Sequence, residues 1–243
     1  MGNDVFRHIR MADVLPALIQ RLTVRTDLKG PKPVGLGRPE GQNNDPITAQ
    51  ALFPRWESLL KPNDILIQET GSSMFVMSAA CMPKGSDFKI QSLWGAIGWA
   101  TPAAFGAALA APRRRTVLIT GEGSHQLTAQ EIGPFARYGL KPIIFILNND
   151  GYLIERALCE DPQSYYNDLA QWNYQQLPAA LGCNDWITAR VTTCGELDAA
   201  IALAESSDKG AYIEVVAGRY SAHPITKGLR GLKYPNSKIQ WAP

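Results

Sequence analysis

Two short apolar runs, Thr116 to Thr120 and Ile143 to Leu147, constrain this 243-residue chain more than any other feature. Each is too short for a buried helix and β-branched enough for a strand covered on both faces. Between them, a segment beginning at Thr128 places Ala129, Ile132, Phe135, Ala136 and Leu140 at three- and four-residue steps. Glu131, three residues after Thr128, completes a capping pair, and Gly139 ends the segment, so it reads as a helix. Strand, helix and strand in that order form a βαβ unit with parallel strands. The strands run into Gly121-Glu122-Gly123-Ser124 and Asn148-Asn149-Asp150-Gly151-Tyr152. Open α/β sheets bind ligands at these carboxyl ends.

The Glu122 carboxylate and the Asn149 amide oxygen, with a glycine carbonyl converging on the same spot, would make a hard, all-oxygen site. Such a site suits Mg²⁺ or Ca²⁺, with phosphate oxygens and water completing the shell. Glycine-rich turns let backbone N–H groups approach the phosphates. Taken singly, Gly-x-Gly also reads as an ordinary βα turn and Asn-Asn-Asp-Gly as an ordinary loop signal. The pair at this spacing, each directly after a buried strand, is more specific.

The remaining elements extend the same pattern. Residues 1–28 hold one helix, with Met11, Val14, Leu15, Leu18, Ile19 and Leu22 on one face after a start at Arg10, and the Gly/Pro-dense stretch 29–46 reads as a linker. From residue 47 a domain runs to 243. Thr48 caps a helix bearing Leu52, Phe53, Trp56, Leu59 and Leu60, and Asp64 to Gln68 is a strand ending at Glu69-Thr70-Gly71-Ser72-Ser73. Phe88 to Leu93 is a strand, and Ala100 to Ala111 a helix of small residues. After Glu155, the expectation is a helix from about Ser164 to Leu181, a strand from Trp186 to Val191, a helix from Glu196 to Ala204 and a strand from Ala211 to Val216. Five or six strands alternating with helices give a doubly wound, mostly parallel α/β sheet.

Composition excludes other classes. A net charge of +2 with both signs interspersed offers no basic face for nucleic acid, and Arg113-Arg114-Arg115 reads as a solvated helix-to-strand loop. No run approaches the roughly 20 apolar residues that cross a bilayer, and no secretory signal opens the chain, so a cytosolic protein is expected. Cys81, Cys159, Cys183 and Cys194 are irregularly spaced and read as free buried thiols.

The order Gly121-Glu122-Gly123, an interval of some two dozen residues, then Asn148-Asn149 resembles the thiamine diphosphate motif, with Glu122 where the family carries aspartate. Gln126-Leu127-Thr128-Ala129-Gln130-Glu131-Ile132, Gly139-Leu140-Lys141-Pro142 and Asn148 to Tyr152 narrow the likeness to the pyruvate and indolepyruvate decarboxylase branch, fungal more than bacterial. The resemblance implies thiamine diphosphate and Mg²⁺ as cofactors and covers the diphosphate-binding domain. Residues 1–28 then match the tail of a middle domain. It implies that Glu122, Asn149 and the Gly151 carbonyl bind Mg²⁺, that Thr70 and, in preference, Ser72 contact the diphosphate with Ser124 and the Ile154 backbone, and that Gly123 and Tyr152 also bind the cofactor. By the same resemblance, the Gly95 carbonyl meets the pyrimidine amine, Ile97 wedges the cofactor into a bent shape, and Glu155 is the catalytic glutamate assisting decarboxylation and protonation. Read without it, Ile97 is core packing and Glu155 a solvated helix residue beside Arg156.

The family also uses an activating glutamate and a His-His pair from a separate pyrimidine-binding domain. The three histidines here, His8, His125 and His223, are not adjacent. Three readings follow: one subunit of a split decarboxylase or carboligase of a small 2-oxo acid, paired with a pyrimidine-binding domain on another chain or in a homo-oligomer; a truncated or degenerate decarboxylase that binds cofactor without turnover; or a structural or regulatory module that binds an intact decarboxylase. Pyruvate, indolepyruvate and phenylpyruvate all stay open as substrates, with pyruvate indicated by the resemblance.

Overall fold

A computed structural model describes residues 7–27, 30 and 32–233. The chain divides into two units, residues 1–32 and 33–243. In the first, helix α1 (Met11–Arg21) starts after Arg10, whose guanidinium bonds Asp13 in the first turn at 3.1 Å. None of its residues is buried, so Met11, Leu15, Leu18, Ile19 and Leu22 are all exposed. The boundary expected at residues 28 and 29 lies outside the described residues.

The second unit opens with the Gly/Pro-rich segment, which is tied along its own unit. The Gly35 N–H bonds the Ala79 carbonyl, Leu36 N–H donates to Glu57 at 2.7 Å, and Arg55 reaches the carbonyls of Glu40 and Gly41. Then follow α2 (Ala49–Leu59), β1 (Ile65–Gln68), α3 (Ser72–Met77), β2 (Asp87–Ile90), α4 (Ala100–Ala110), β3 (Thr116–Gly121), α5 (Glu122–Gln126), α6 (Gly133–Arg137), β4 (Ile143–Asn148), α7 (Leu153–Leu158), α8 (Leu177–Ala180), β5 (Ile187–Val191), α9 (Cys194–Ser206), β6 (Ala211–Val216) and α10 (Pro224–Lys233). The sheet is parallel throughout, in the order β2-β1-β3-β4-β6-β5.

Burial explains the composition of the strands. β1, β3, β4 and β6 are covered on both faces, whereas the edge strands β2 and β5 are only partly buried. Successive residues of one strand enter opposite cores. Val117, Ile119, Phe145 and Ile213 pack with Phe53, Trp56, Met77 and Leu197 on one face. Leu118, Ile144, Ile146 and Tyr212 pack with Ala100, Ala104, Ala108 and Phe135 on the other. The alanines recur every four residues, which lets α4 lie close on the sheet.

Several elements differ from the sequence expectation. The Gly121-Glu122-Gly123 turn is itself the start of helix α5. The helix expected from Thr128 is a 3₁₀ turn, Ala129–Ile132, leading into α6, and Thr128 does not cap it. Its hydroxyl donates instead to the Gly98 carbonyl at 2.9 Å, so a tertiary contact takes the group that the capping pattern assigned locally. From Ser164 to Leu181 there is no long helix, only the 3₁₀ turns Tyr165–Asn167 and Tyr174–Gln176 and the short α8. The backbone there is spent elsewhere: the Asn167 carbonyl accepts from Tyr152 N–H and from Arg156. Cys183 and Cys194 are buried, but Cys159 is half-buried and Cys81 exposed, which corrects the expectation of four buried thiols.

Candidate functional site

Sheet order locates the site. From β1 the chain steps to β2 on one side and then returns to β3 on the other, so the winding reverses between β1 and β3. Such a reversal opens a crevice at the carboxyl ends of the strands. The segments that follow β1, β3 and β4 converge there, around a cavity of about 420 Å³. That size suits a small organic ligand. Thr70, Ser72, Gly95, Ile97, Glu122, Gly123, Ser124, Asn149, Gly151, Tyr152, Ile154 and Glu155 all line it. Every candidate residue of the sequence analysis thus faces one cavity, and three short helices, α3, α5 and α7, begin at its wall.

Backbone is exposed to this cavity on purpose-built glycines. A Cβ added at Gly71 or Gly121 would meet nothing within 4 Å, so their bare faces point into open space rather than into protein. Gly151 is constrained differently. Its φ is +127°, and a side chain there would collide with the Asn167 carbonyl and the Arg156 guanidinium. Gly123 lies under the Tyr152 ring, with an added Cβ 2.5 Å from the ring edge.

The electrostatic centre is Glu122, only 2% exposed. Its Oε1 accepts from Gly151 N–H at 2.7 Å and Asn149 N–H at 3.2 Å, which binds the start of α5 to the loop after β4. Burial pushes its carboxyl up to about 7, against the pull of the backbone N–H groups and of Arg156. A carboxylate desolvated in this way favours its neutral form unless a cation or further donors sit beside it. Among the described residues no three His, Cys, Asp or Glu side chains cluster to hold a metal. The available donors are one carboxylate, the Asn149 amide and the Gly151 carbonyl, a set for a hard cation completed by ligand oxygens. Burial and the Glu122 charge also raise the Tyr152 phenol.

Arg156 fixes the loop from behind. Its fully buried guanidinium donates to the Asp150 carbonyl at 2.8 Å, the Asn167 carbonyl at 3.2 Å and Asp168 at 2.7 Å. Arg219 holds the Asp150 carboxylate, and Gln171 donates to the same side chain at 2.9 Å. Asp150 adopts a φ of +57°, so this outer ring stabilises an uncommon backbone conformation between Asn149 and Gly151.

The cavity also includes residues that the sequence reading did not assign. Tyr166 lines it from the stretch read as helix, and Ser73 and Leu153 from the first turns of α3 and α7. Glu69, fully buried beneath the loop after β1, was passed over as the end of a strand. A carboxylate directly between the four-residue strand Ile65–Gln68, three of whose residues are apolar, and a Thr-Gly-Ser-Ser turn is the signal that marks it.

Residues 69–215 match the family model described as the thiamine pyrophosphate enzyme C-terminal TPP binding domain. The chain belongs to this family. As a TPP-binding domain it is similar to alpha-keto-acid decarboxylases of Mycobacterium ulcerans (37% identical over 239 residues) and Mycobacterium tuberculosis H37Rv (39% over 240 residues). Each alignment covers 97% of this chain and 42% of the relative. The chain therefore spans about two fifths of the length of these curated relatives. The fold of the TPP-binding domain matches the crystal structure of benzoylformate decarboxylase from Polynucleobacter necessarius with a TM-score of 0.65, at 22% identity over 75% of this chain and 36% of that one. Thiamine diphosphate fits the site described: bare glycine backbone at Gly71 and Gly121 leaves room for a diphosphate, and the buried Glu122 carboxylate could take a cation accompanying it. No helix among the described residues is long and apolar enough to cross a membrane.

Proposed function

We propose that this chain is the thiamine diphosphate- and Mg²⁺-binding part of a non-oxidative 2-oxo acid decarboxylase, pyruvate decarboxylase-like, which converts a 2-oxo acid to an aldehyde and CO₂. The observation that carries the reading is the Glu122 carboxylate, buried at the end of β3 and bonded across to the loop after β4. In this reading Glu122, Asn149 and the Gly151 carbonyl ligate Mg²⁺. Thr70, Ser72, Gly123, Ser124, Tyr152 and the Ile154 backbone hold the diphosphate end. The Gly95 carbonyl orients the pyrimidine and Ile97 holds the bend.

When bound, the cofactor supplies the electron sink for loss of CO₂ from the substrate. Glu155, exposed in the first turn of α7 and lining the cavity, is the chain's own proton donor and acceptor at the reacting carbon. A pyrimidine-binding domain, on a partner chain or a second copy, closes the other side. Two exposures support that closure: Ile97, which lines the cavity, is 39% exposed, and Trp94, next in sequence to the lining Gly95, is 82% exposed, apolar surface of the kind that marks interfaces. Trp99, by contrast, packs into the core of its own domain, and Tyr152 is half-buried against Gly123. The likeness to alpha-keto-acid decarboxylases supports the substrate class, and a small 2-oxo acid such as pyruvate is the proposed substrate.

Calorimetry with thiamine diphosphate and Mg²⁺ tests the assignment. Saturable, Mg²⁺-dependent binding is expected, lost in Glu122→Ala. Binding indifferent to that substitution would remove Glu122 from the site.

A further inference from the structure

The loop between β2 and α4 carries Gly95 and Ile97, yet it has no regular structure of its own, and it turns through positive φ at both Gly95 and Gly98. Glu69 supplies its anchor. The side chain is fully buried, and its two oxygens take three backbone N–H groups from two separate segments. Oε1 accepts from Thr70 at 3.0 Å, while Oε2 accepts from Gly98 at 3.2 Å and Ala100 at 3.1 Å. Thr70 adds a longer bond, from its hydroxyl to the Ala96 carbonyl at 3.5 Å. The turn after β1, which carries Thr70 and leads into α3 at Ser72, is therefore fastened through one carboxylate to the loop that bears Gly95 and Ile97.

The geometry points to Glu69 as a positioning residue that sets the distance between the two halves of the cofactor cradle, the diphosphate end and the pyrimidine end. The inference rests on the cofactor reading of the same cavity. An ordinary buried acid could satisfy these donors in many places, but here both oxygens are needed as acceptors. Glutamine cannot replace it, because its –NH₂ would face either the Thr70 N–H or the pair from Gly98 and Ala100. Aspartate is one methylene too short to reach both segments. Losing this tether loosens the Ile97 loop, which keeps the Thr128 and Thr70 hydroxyl bonds to the Gly98 and Ala96 carbonyls, while the turns after β3 and β4 stay bonded to each other through Glu122.

The test compares two ligands on the full chain in the presence of Mg²⁺: thiamine diphosphate and inorganic diphosphate. In Glu69→Gln, the Kd for thiamine diphosphate is expected to rise about tenfold or more, the effect of losing hydrogen bonds to a buried charged group. The Kd for inorganic diphosphate should rise at least several-fold less, since that ligand meets the Thr70 and Ser72 side of the tether but not the Ile97 loop. Ile97→Ala should reproduce the split without lowering the melting midpoint. Equal weakening of both ligands, or of neither, overturns the proposal. Amide exchange on the unsubstituted chain decides the matter if Glu69→Gln does not fold: protected Gly98 and Ala100 amides are expected without any ligand, and free exchange at either sinks the tether. Failure of the unsubstituted chain to bind thiamine diphosphate, with those amides protected, would refute the cofactor reading and leave the anchor in place.

Discussion

Replacing Glu122 by glutamine should make the ligand-free chain more stable while removing its metal site. In the protein, burial raises this carboxyl from an ordinary 4.5 to about 7. Each pH unit of such a difference is worth about 1.4 kcal/mol, so ionised Glu122 costs the ligand-free fold about 3 kcal/mol. The sign follows from linkage: the folded state holds the proton more tightly than the unfolded one. Its contribution is therefore complete below about pH 4.5 and is lost as pH rises through about 7. Glutamine keeps an oxygen for Gly151 and Asn149 and never ionises. The two proteins should melt alike near pH 4, and at pH 8 the variant should be about 3 kcal/mol more stable, a midpoint higher by roughly 6–12 °C for a unit of this size. Buried His125, held down to about 3 by desolvation, titrates with the opposite slope, and it cancels in the comparison because both proteins carry it. Scanning calorimetry from pH 4 to 8 without Mg²⁺ is the assay. A variant that melts at or below the parent at pH 8 would refute the account of Glu122 as a buried charge awaiting a cation. With Mg²⁺ and thiamine diphosphate added, only the parent should gain.

Three other outcomes are expected. Gly151→Ala should lower stability by about 2 kcal/mol or more, through its positive φ and its collision with the Asn167 carbonyl, and should weaken Mg²⁺ binding in the same titration. Arg156→Leu should cost roughly 3 kcal/mol, measured by denaturant unfolding, because the Asp150 and Asn167 carbonyls and Asp168 lose one shared donor. Purified without a pyrimidine-binding domain, the chain should release CO₂ from pyruvate no faster than free cofactor, since a missing acid–base group typically costs about 10²–10⁴-fold. A coupled aldehyde assay reads this, and robust turnover would show that a residue here replaces the missing glutamate.

The strands and the cavity were legible in the sequence for a physical reason. A central parallel strand must be apolar on both faces, so Thr116 to Thr120, Ile143 to Leu147 and Ala211 to Val216 announce themselves, and the polar residues that follow must lie at the sheet's edge. Capping patterns are weaker guides because their groups can be taken by distant partners. Thr128 goes to Gly98, whereas Thr193 keeps a complete capping box with Glu196 and starts α9 two residues before the sequence suggested. The long helix expected after Ser164 failed because Asn167, Asp168 and Tyr174 serve Arg156, Tyr152 and the core rather than each other. Glu69 escaped notice because its three partners lie 1, 29 and 31 residues away, and no local window contains them.

The register of β3 against β1 acts as a ruler for ligand recognition. Ile65 pairs with Thr116 and Gln68 with Ile119, 51 residues apart at every rung. A slip of one residue would move the tip of β3 by about 3.3 Å and send Val117 and Ile119 into the opposite core. Hydrophobic sorting of these side chains thus calibrates the gap between Ser72 and Ser124. A core substitution at Val117 or Leu118, neither of which lines the cavity, is expected to change which diphosphate-bearing molecules fit.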